Sequence, residues 1–186
     1  MSKDFWDVTK QDPLVEAALK HVRTGNALDI GGGEGRDALF LARNNFDVIV
    51  VDSDADALRK LSQSNESLKK PVTIIETNIN AYTPDQQFDL VICDMVLHFL
   101  APEEVVSMTE KMKAWTKPDG VIMIAAYTDK NPAGKRPYLF KTNELKQLYA
   151  GWRILYYAEK PTPWFHWPRG TEPRHNEAVY FLAQKP

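Results

Sequence analysis

The chain predicts an α/β fold built on a doubly wound, mostly parallel sheet. Three observations carry this reading: short, continuously apolar runs such as Val48-Ile49-Val50-Val51 and Leu90-Val91-Ile92-Cys93, helix-patterned segments between them, and a glycine-rich turn that joins one apolar run to the next helix. Strands apolar on both sides suit a sheet covered by helices on both faces. The alternation implies crossover connections between parallel strands, hence a Rossmann-like arrangement.

In chain order, Asp12-Pro13 supplies a cap and a first-turn proline to a helix carrying Leu14, Val15, Ala18, Leu19 and Val22. Ala27-Leu28-Asp29-Ile30 is a strand that runs straight into Gly31-Gly32-Gly33-Glu34-Gly35, and residues 36 to 44 form the next helix. A strand over 47 to 52 leads to a helix over 54 to 63 that carries Ala57, Leu58 and Leu61. Strands over 72 to 75 and 88 to 93 follow, then a helix over 102 to 115 opened by proline and two glutamates. Lys117-Pro118-Asp119-Gly120 reads as a turn before a strand over 121 to 126. A helix over 141 to 150 and strands over 152 to 159 and 177 to 184 complete about seven strands, the last two forming a C-terminal antiparallel hairpin.

A chain of 186 residues has room for one ordinary domain, so residues 1 to 186 are read as a single domain. With 44% hydrophobic and 26% charged residues it is neither disordered, collagen-like nor coiled-coil. A net charge of −2 gives no general attraction to nucleic acid or anionic membrane, so neither is expected as a partner. One cysteine, Cys93, rules out an internal disulfide, and no Cys/His cluster offers a metal site. The N-terminal MSKDFWDVTKQDP carries no apolar run of signal-peptide length and no stretch approaches the length of a membrane span, so a cytoplasmic protein is expected. Seven of the twelve prolines and three of the five tryptophans lie beyond residue 131, and the proline-rich residues 160 to 176 are expected to form a substrate-side wall or lid.

The chemistry concentrates at Asp29-x-Gly31-x-Gly33-x-Gly35, where glycines let the backbone turn sharply and touch a ligand while amides at the next helix start offer donors. Four of nine glycines fall in this loop, more than a bland turn needs. Asp52 ends the second strand, where a carboxylate can accept hydrogen bonds from two ribose hydroxyls; taken alone, it could equally cap the helix near Asp54. Loop and acid together predict an adenosine-containing cofactor. In a nicotinamide-type GxGxxG the sixth position would be glycine, and here it is Arg36; the chain also lacks space for a separate substrate domain. A nicotinamide-dependent oxidoreductase is therefore the second enzyme reading, and a non-catalytic cofactor-binding domain the competing class.

The glycine loop with its acid two residues upstream resembles motif I of the class I S-adenosylmethionine-dependent methyltransferases. ETNINAY, FDLVICDMVLHFL and WTKPDGVIMIAAY resemble the successive motifs, so that the likeness covers residues 27 to 127. Within that class the chain resembles the small tellurite-resistance methyltransferases, through Gly35-Arg36, the Leu139-Phe140-Lys141 to Glu159 segment and Phe165-His166, while the residues after Glu159 depart from that group. The resemblance implies S-adenosylmethionine as cofactor and a small-molecule acceptor, such as a tellurite-like chalcogen oxyanion or a thiol. It also implies roles: Asp29, Gly31, Gly33 and Gly35 for the methionine part, Asp52 for the ribose, Ser53 with Asn78 and Ile79 for the adenine, and Asp94-Met95 as the floor beneath the sulfonium.

A sulfonium methyl is already activated, so positioning does most of the work, and only an oxygen or amine acceptor needs its proton removed. His98, His166 and His175 are the candidate bases. His98, between Leu97 and Phe99, is either such a base or a packed residue, and His166 sits among Trp164, Phe165 and Trp167, which either wall a pocket or cover the core. Arg169 and Arg174 either hold an anionic acceptor or are solvated. Met108 and Met112 read as core, Cys93 as an inert buried thiol, and Glu110, Lys111 and Lys113 as a solvated helix face.

Overall fold

The computed structural model describes residues 12–131, 136–161 and 176–186. Its elements run α1 (Pro13–Ala18), β1 (Gly25–Ile30), α2 (Arg36–Arg43), β2 (Phe46–Asp52), α3 (Ala55–Asn65), β3 (Thr73–Glu76), β4 (Phe88–Asp94), a 3-10 turn (Leu97–Phe99), α4 (Pro102–Trp115), β5 (Thr116–Tyr127), α5 (Glu144–Leu148), β6 (Arg153–Pro161) and β7 (Glu177–Gln184). The strands form one seven-stranded sheet in the order β3-β2-β1-β4-β5-β7-β6. Strands β1 to β5 pair in parallel, and β7 lies antiparallel between β5 and β6. The doubly wound sheet with its C-terminal hairpin is thus the architecture the apolar pattern implied.

Residue alternation along each strand divides the core. Leu90, Ile92, Met123 and Ala125 face a cluster with α1, α2 and α3 through Leu14, Leu39 and Leu61. Val91, Cys93, Ile122 and Ile124 face the opposite layer, where α4 and α5 contribute Val105, Met108, Met112 and Leu145. A period of two on the strands and near 3.6 on the helices places an apolar surface on each side of every interior contact. Met108, Met112 and Cys93 are fully buried, as their pattern indicated.

Several boundaries differ from the sequence reading for local reasons. Asp12 caps α1, accepting the Leu14 N–H at 2.6 Å, but the helix proper ends at Ala18. Residues 117 to 120 do not break the chain into turn and strand; β5 runs from Thr116, with Asp119 in a left-handed conformation (φ 61°), and the extra residues are taken up by a register shift opposite Phe88 to Leu90. The polar face of α4 is more engaged than its charge suggested, because Lys111 Nζ donates to the Asn80 carbonyl at 2.7 Å and Lys113 Nζ pairs with Glu110 at 2.6 Å.

The sheet order reverses between β1 and β4, which leaves a crevice at their carboxyl ends, the place where open α/β sheets bind ligands. Because β7 is antiparallel, it starts at that same end: Tyr127 pairs with Ala178, and Pro161 with Glu177. The connection from Pro161 to Asn176 therefore leaves and rejoins the sheet at the carboxyl end.

Candidate functional site

The glycine loop follows directly from β1. Gly31 N–H donates to the Val51 carbonyl at 2.7 Å, which ties the loop to β2, and Gly31, Gly33 and Gly35 all take positive φ (70°, 53° and 80°). Their reasons for being glycine differ. A Cβ on Gly31 would lie 2.3 Å from Val96 Cγ2 and one on Gly35 2.3 Å from Leu61 Cδ1, so packing forbids both; a Cβ on Gly33 would meet nothing within 4 Å. Gly33 is bare toward open space, the condition for close approach of a ligand to backbone.

Asp52 joins that cradle. Its Oδ2 accepts the Gly33 N–H at 2.8 Å and its Oδ1 the Asp54 N–H at 2.9 Å. The cap of α3 is Asp54, whose Oδ1 accepts from Asp56 and Ala57 N–H at 3.0 and 3.1 Å, so Asp52 is free of the capping role. Each Asp52 oxygen keeps a further lone pair for a ligand hydroxyl. Beside it, Thr77 N–H donates to the Asp52 carbonyl at 2.9 Å, which brings the end of β3 alongside. Asn78 there accepts the Asn80 N–H on Oδ1 at 2.8 Å, leaving its NH2 as a donor, and Ser53 and Asn78 are exposed while Ile79 packs half-buried against the α4 layer.

At the crevice itself, Asp29 is 3% exposed, and burial, reinforced by Asp37 and Asp94, holds its carboxyl well above the usual range. Asp94 ends β4. Burial, then Asp37 and Asp12, push it up to about 8 against the pull of Arg36. Met95 follows in a left-handed conformation (φ 58°) with its N–H on the Ala125 carbonyl at 2.7 Å, a strained position that turns the chain toward Gly31 through Val96. Arg36, at the first position of α2, pairs with Asp94 across the crevice and with Asp37 at 2.9 Å, and Asp37 Oδ1 accepts the Asp12 N–H at 3.1 Å. The sequence marks Arg36 as a non-glycine and as part of the Gly35-Arg36 likeness, but gives neither it nor Asp37 and Asp12 this ion-pair role; an arginine followed by an acid at a helix start just after the glycine turn was the available signal.

His98 is buried among aromatic rings. It is 1% exposed, between the rings of Phe99 (4.4 Å) and Tyr127 (4.3 Å), and its Nδ1 accepts the Tyr127 N–H in a long bond of 3.4 Å. With Nδ1 engaged, the neutral ring carries its proton on Nε2 and is a donor. Burial, then the Arg136 charge, lower its pKa to about 3. Arg136 lies over the Phe99 ring at 4.6 Å and 5.9 Å from that of Tyr127, and Asn176 Nδ2 donates to the Tyr127 hydroxyl at 3.4 Å. His166, His175, Arg169 and Arg174 lie outside the described residues. A neutral His98 predicts an acid-labile contribution to stability. The unfolded chain ionises this side chain near 6.5 and the folded chain resists, so its contribution is intact above pH 6.5 and is lost as pH falls toward 3. Relative to His98→Gln, the parent chain should lose about 2 kcal/mol by pH 5 in denaturant titrations.

Comparison with known proteins fits this geometry. The family described as tellurite resistance protein TehB matches residues 2–165. The chain belongs to the TehB family. A TehB relative from Haemophilus influenzae, described as a probable S-adenosyl-L-methionine-dependent methyltransferase, is 30% identical over 161 residues, covering 85% of this chain and 56% of that protein. A protein of Eikenella corrodens named hemagglutinin 1 is 28% identical over 182 residues, covering 96% of this chain and 61% of its own length. The crystal structure of Haemophilus influenzae TehB superposes with a TM-score of 0.85 at 27% identity, over 92% of this chain and 61% of that one. The chain thus spans under two thirds of the length of these relatives. No helix of the described residues is long and apolar enough to cross a membrane.

Proposed function

We propose that this TehB-family chain transfers the methyl group of S-adenosylmethionine to a small acceptor, a tellurite-like chalcogen oxyanion or a thiol, in the cytoplasm. The observation that carries the reading is the bare, open face of Gly33 held 2.8 Å from the Asp52 carboxylate at the carboxyl end of the sheet. The cradle fits the cofactor: Asp29, Gly31, Gly33 and Gly35 would hold its methionine part, Asp52 its ribose, Ser53, Asn78 and Ile79 its adenine, with Asp94 and Met95 beneath the sulfonium. When bound, the cofactor supplies an activated methyl for in-line displacement. The chain's part is to hold acceptor and methyl in line and to exclude water.

A soft or already anionic acceptor agrees with the state of His98, which is neutral, spends its Nδ1 lone pair on a backbone amide and has a pKa too low to take a proton at neutral pH. Acceptor-dependent formation of S-adenosylhomocysteine from tellurite, selenite and alkyl thiols tests the reading. Cofactor binding without turnover on any of them would leave the non-catalytic domain, and binding of NAD in place of S-adenosylmethionine would leave the oxidoreductase. Segment 160 to 176 is assigned the acceptor side, with His166 facing the acceptor and Arg174 offering positive charge. His166→Ala should lower kcat with S-adenosylmethionine affinity held within about twofold, and Arg174→Ala should chiefly raise KM for an anionic acceptor. Full activity in both variants would take the segment out of the mechanism.

A further inference from the structure

We infer that Asp94, within the network it forms with Arg36, Asp37 and Asp29, makes this site choose by charge between S-adenosylmethionine and S-adenosylhomocysteine, favouring the sulfonium cation over the neutral thioether. The inference rests on the methyltransferase reading above and adds a specificity-determining role to it. It starts from the imbalance of charge at the crevice. Four carboxyl groups meet there from four parts of the chain: Asp12 just before α1, Asp29 in β1, Asp37 in α2 and Asp94 at the end of β4. Arg36 is the guanidinium among them, paired with both Asp37 and Asp94. Lys160 of β6 acts on Asp12 and Asp52 of β2 acts on Asp29, each from the rim.

Among the described residues one guanidinium faces four carboxyl groups, three of them buried and Asp94 part-buried, and no group of three or more acidic, His or Cys residues among them is placed to hold a metal ion. The remaining relief is protonation, which agrees with the raised pKa values of Asp12, Asp29 and Asp94. Asp29 and Asp94 flank the β1/β4 reversal, so a ligand seated on the glycine loop places its charges beside them. A cation arriving there stabilises the ionised carboxylates and drives protons out. The thioether brings one positive charge fewer, so it gains less and displaces fewer protons. Methyl transfer then converts the better-held ligand into the worse-held one without any movement of the chain, which favours product release.

The coupling is read by calorimetry of the whole chain with each ligand at pH 6.5 and 8.5, in two buffers of different ionisation heat. Raising the pH should improve the affinity for S-adenosylmethionine over S-adenosylhomocysteine by about fivefold or more, with more protons released on binding the former. Asp94→Asn should flatten that change; the ligand's own amino group titrates alike in parent and variant, so the difference isolates the protein carboxyls. Equal pH responses for the two ligands, or a full response in Asp94→Asn, would overturn the inference. If that variant does not fold, the proton counts of the parent chain decide alone. A chain that binds neither ligand would sink the methyltransferase reading itself, a result distinct from binding both without discrimination.

Discussion

Gly33→Val is expected to abolish S-adenosylmethionine binding in a chain that still folds. The two halves of that expectation come from one observation: a Cβ at this position meets nothing within 4 Å, so the protein itself leaves room for the side chain. The φ of 53° adds strain for a β-branched residue, of about 1–2 kcal/mol, which a domain with this core tolerates. What the isopropyl group would occupy is the open space beside Gly33, where the proposed cofactor contact would be made. Neighbouring glycines serve as the control, because Gly35→Ala drives a Cβ to 2.3 Å from Leu61 Cδ1 and should cost stability directly. Thermal unfolding and calorimetry on the two variants separate the cases. A Gly33→Val chain that titrates S-adenosylmethionine like the parent would reduce the loop to a turn.

Asp52→Ala should weaken S-adenosylmethionine binding by roughly 2–3 kcal/mol, or about 30- to 150-fold, the cost of losing a charged acceptor for two hydroxyls. The carboxylate also holds the Gly33 N–H at 2.8 Å, so part of the loss comes from a loosened loop. The fold should survive, since the α3 cap resides on Asp54. Asp52→Asn retains one oxygen for the Gly33 amide and should fall between parent and alanine variant. Unchanged affinity in Asp52→Ala would refute the ribose assignment.

The sequence carried the architecture because its signals are local and repeated: apolar runs such as 88 to 93, a capped start at Asp12-Pro13 and a glycine loop in one contiguous stretch. The cradle was legible for the same reason, since Gly31, Gly33, Gly35 and Asp52 announce themselves by spacing. It could not separate Gly33, open to a ligand, from Gly31 and Gly35, closed by Val96 and Leu61, because those neighbours are 65 and 26 positions away and only the fold brings them close. The Arg36–Asp94 pair was invisible on similar grounds: Asp94 lies 58 residues from Arg36, and no periodicity reports an ion pair across a crevice. His98 shows the opposite limit. A histidine after a strand end looks the same in sequence whether it is a base or a stacked ring, and only the fold brings the Tyr127 amide to its Nδ1.

The pairing of Pro161 with Glu177 has an evolutionary consequence. The connection between β6 and β7 is closed at its root by a strand ladder, and closing a longer loop costs only about 0.6 kcal/mol per doubling of its length. Insertions, deletions or wholesale replacement between those two residues therefore leave the sheet and the cofactor cradle as they are. Were this connection the acceptor side proposed above, acceptor choice could change by rewriting it alone, with the proposed cofactor cradle inherited unchanged.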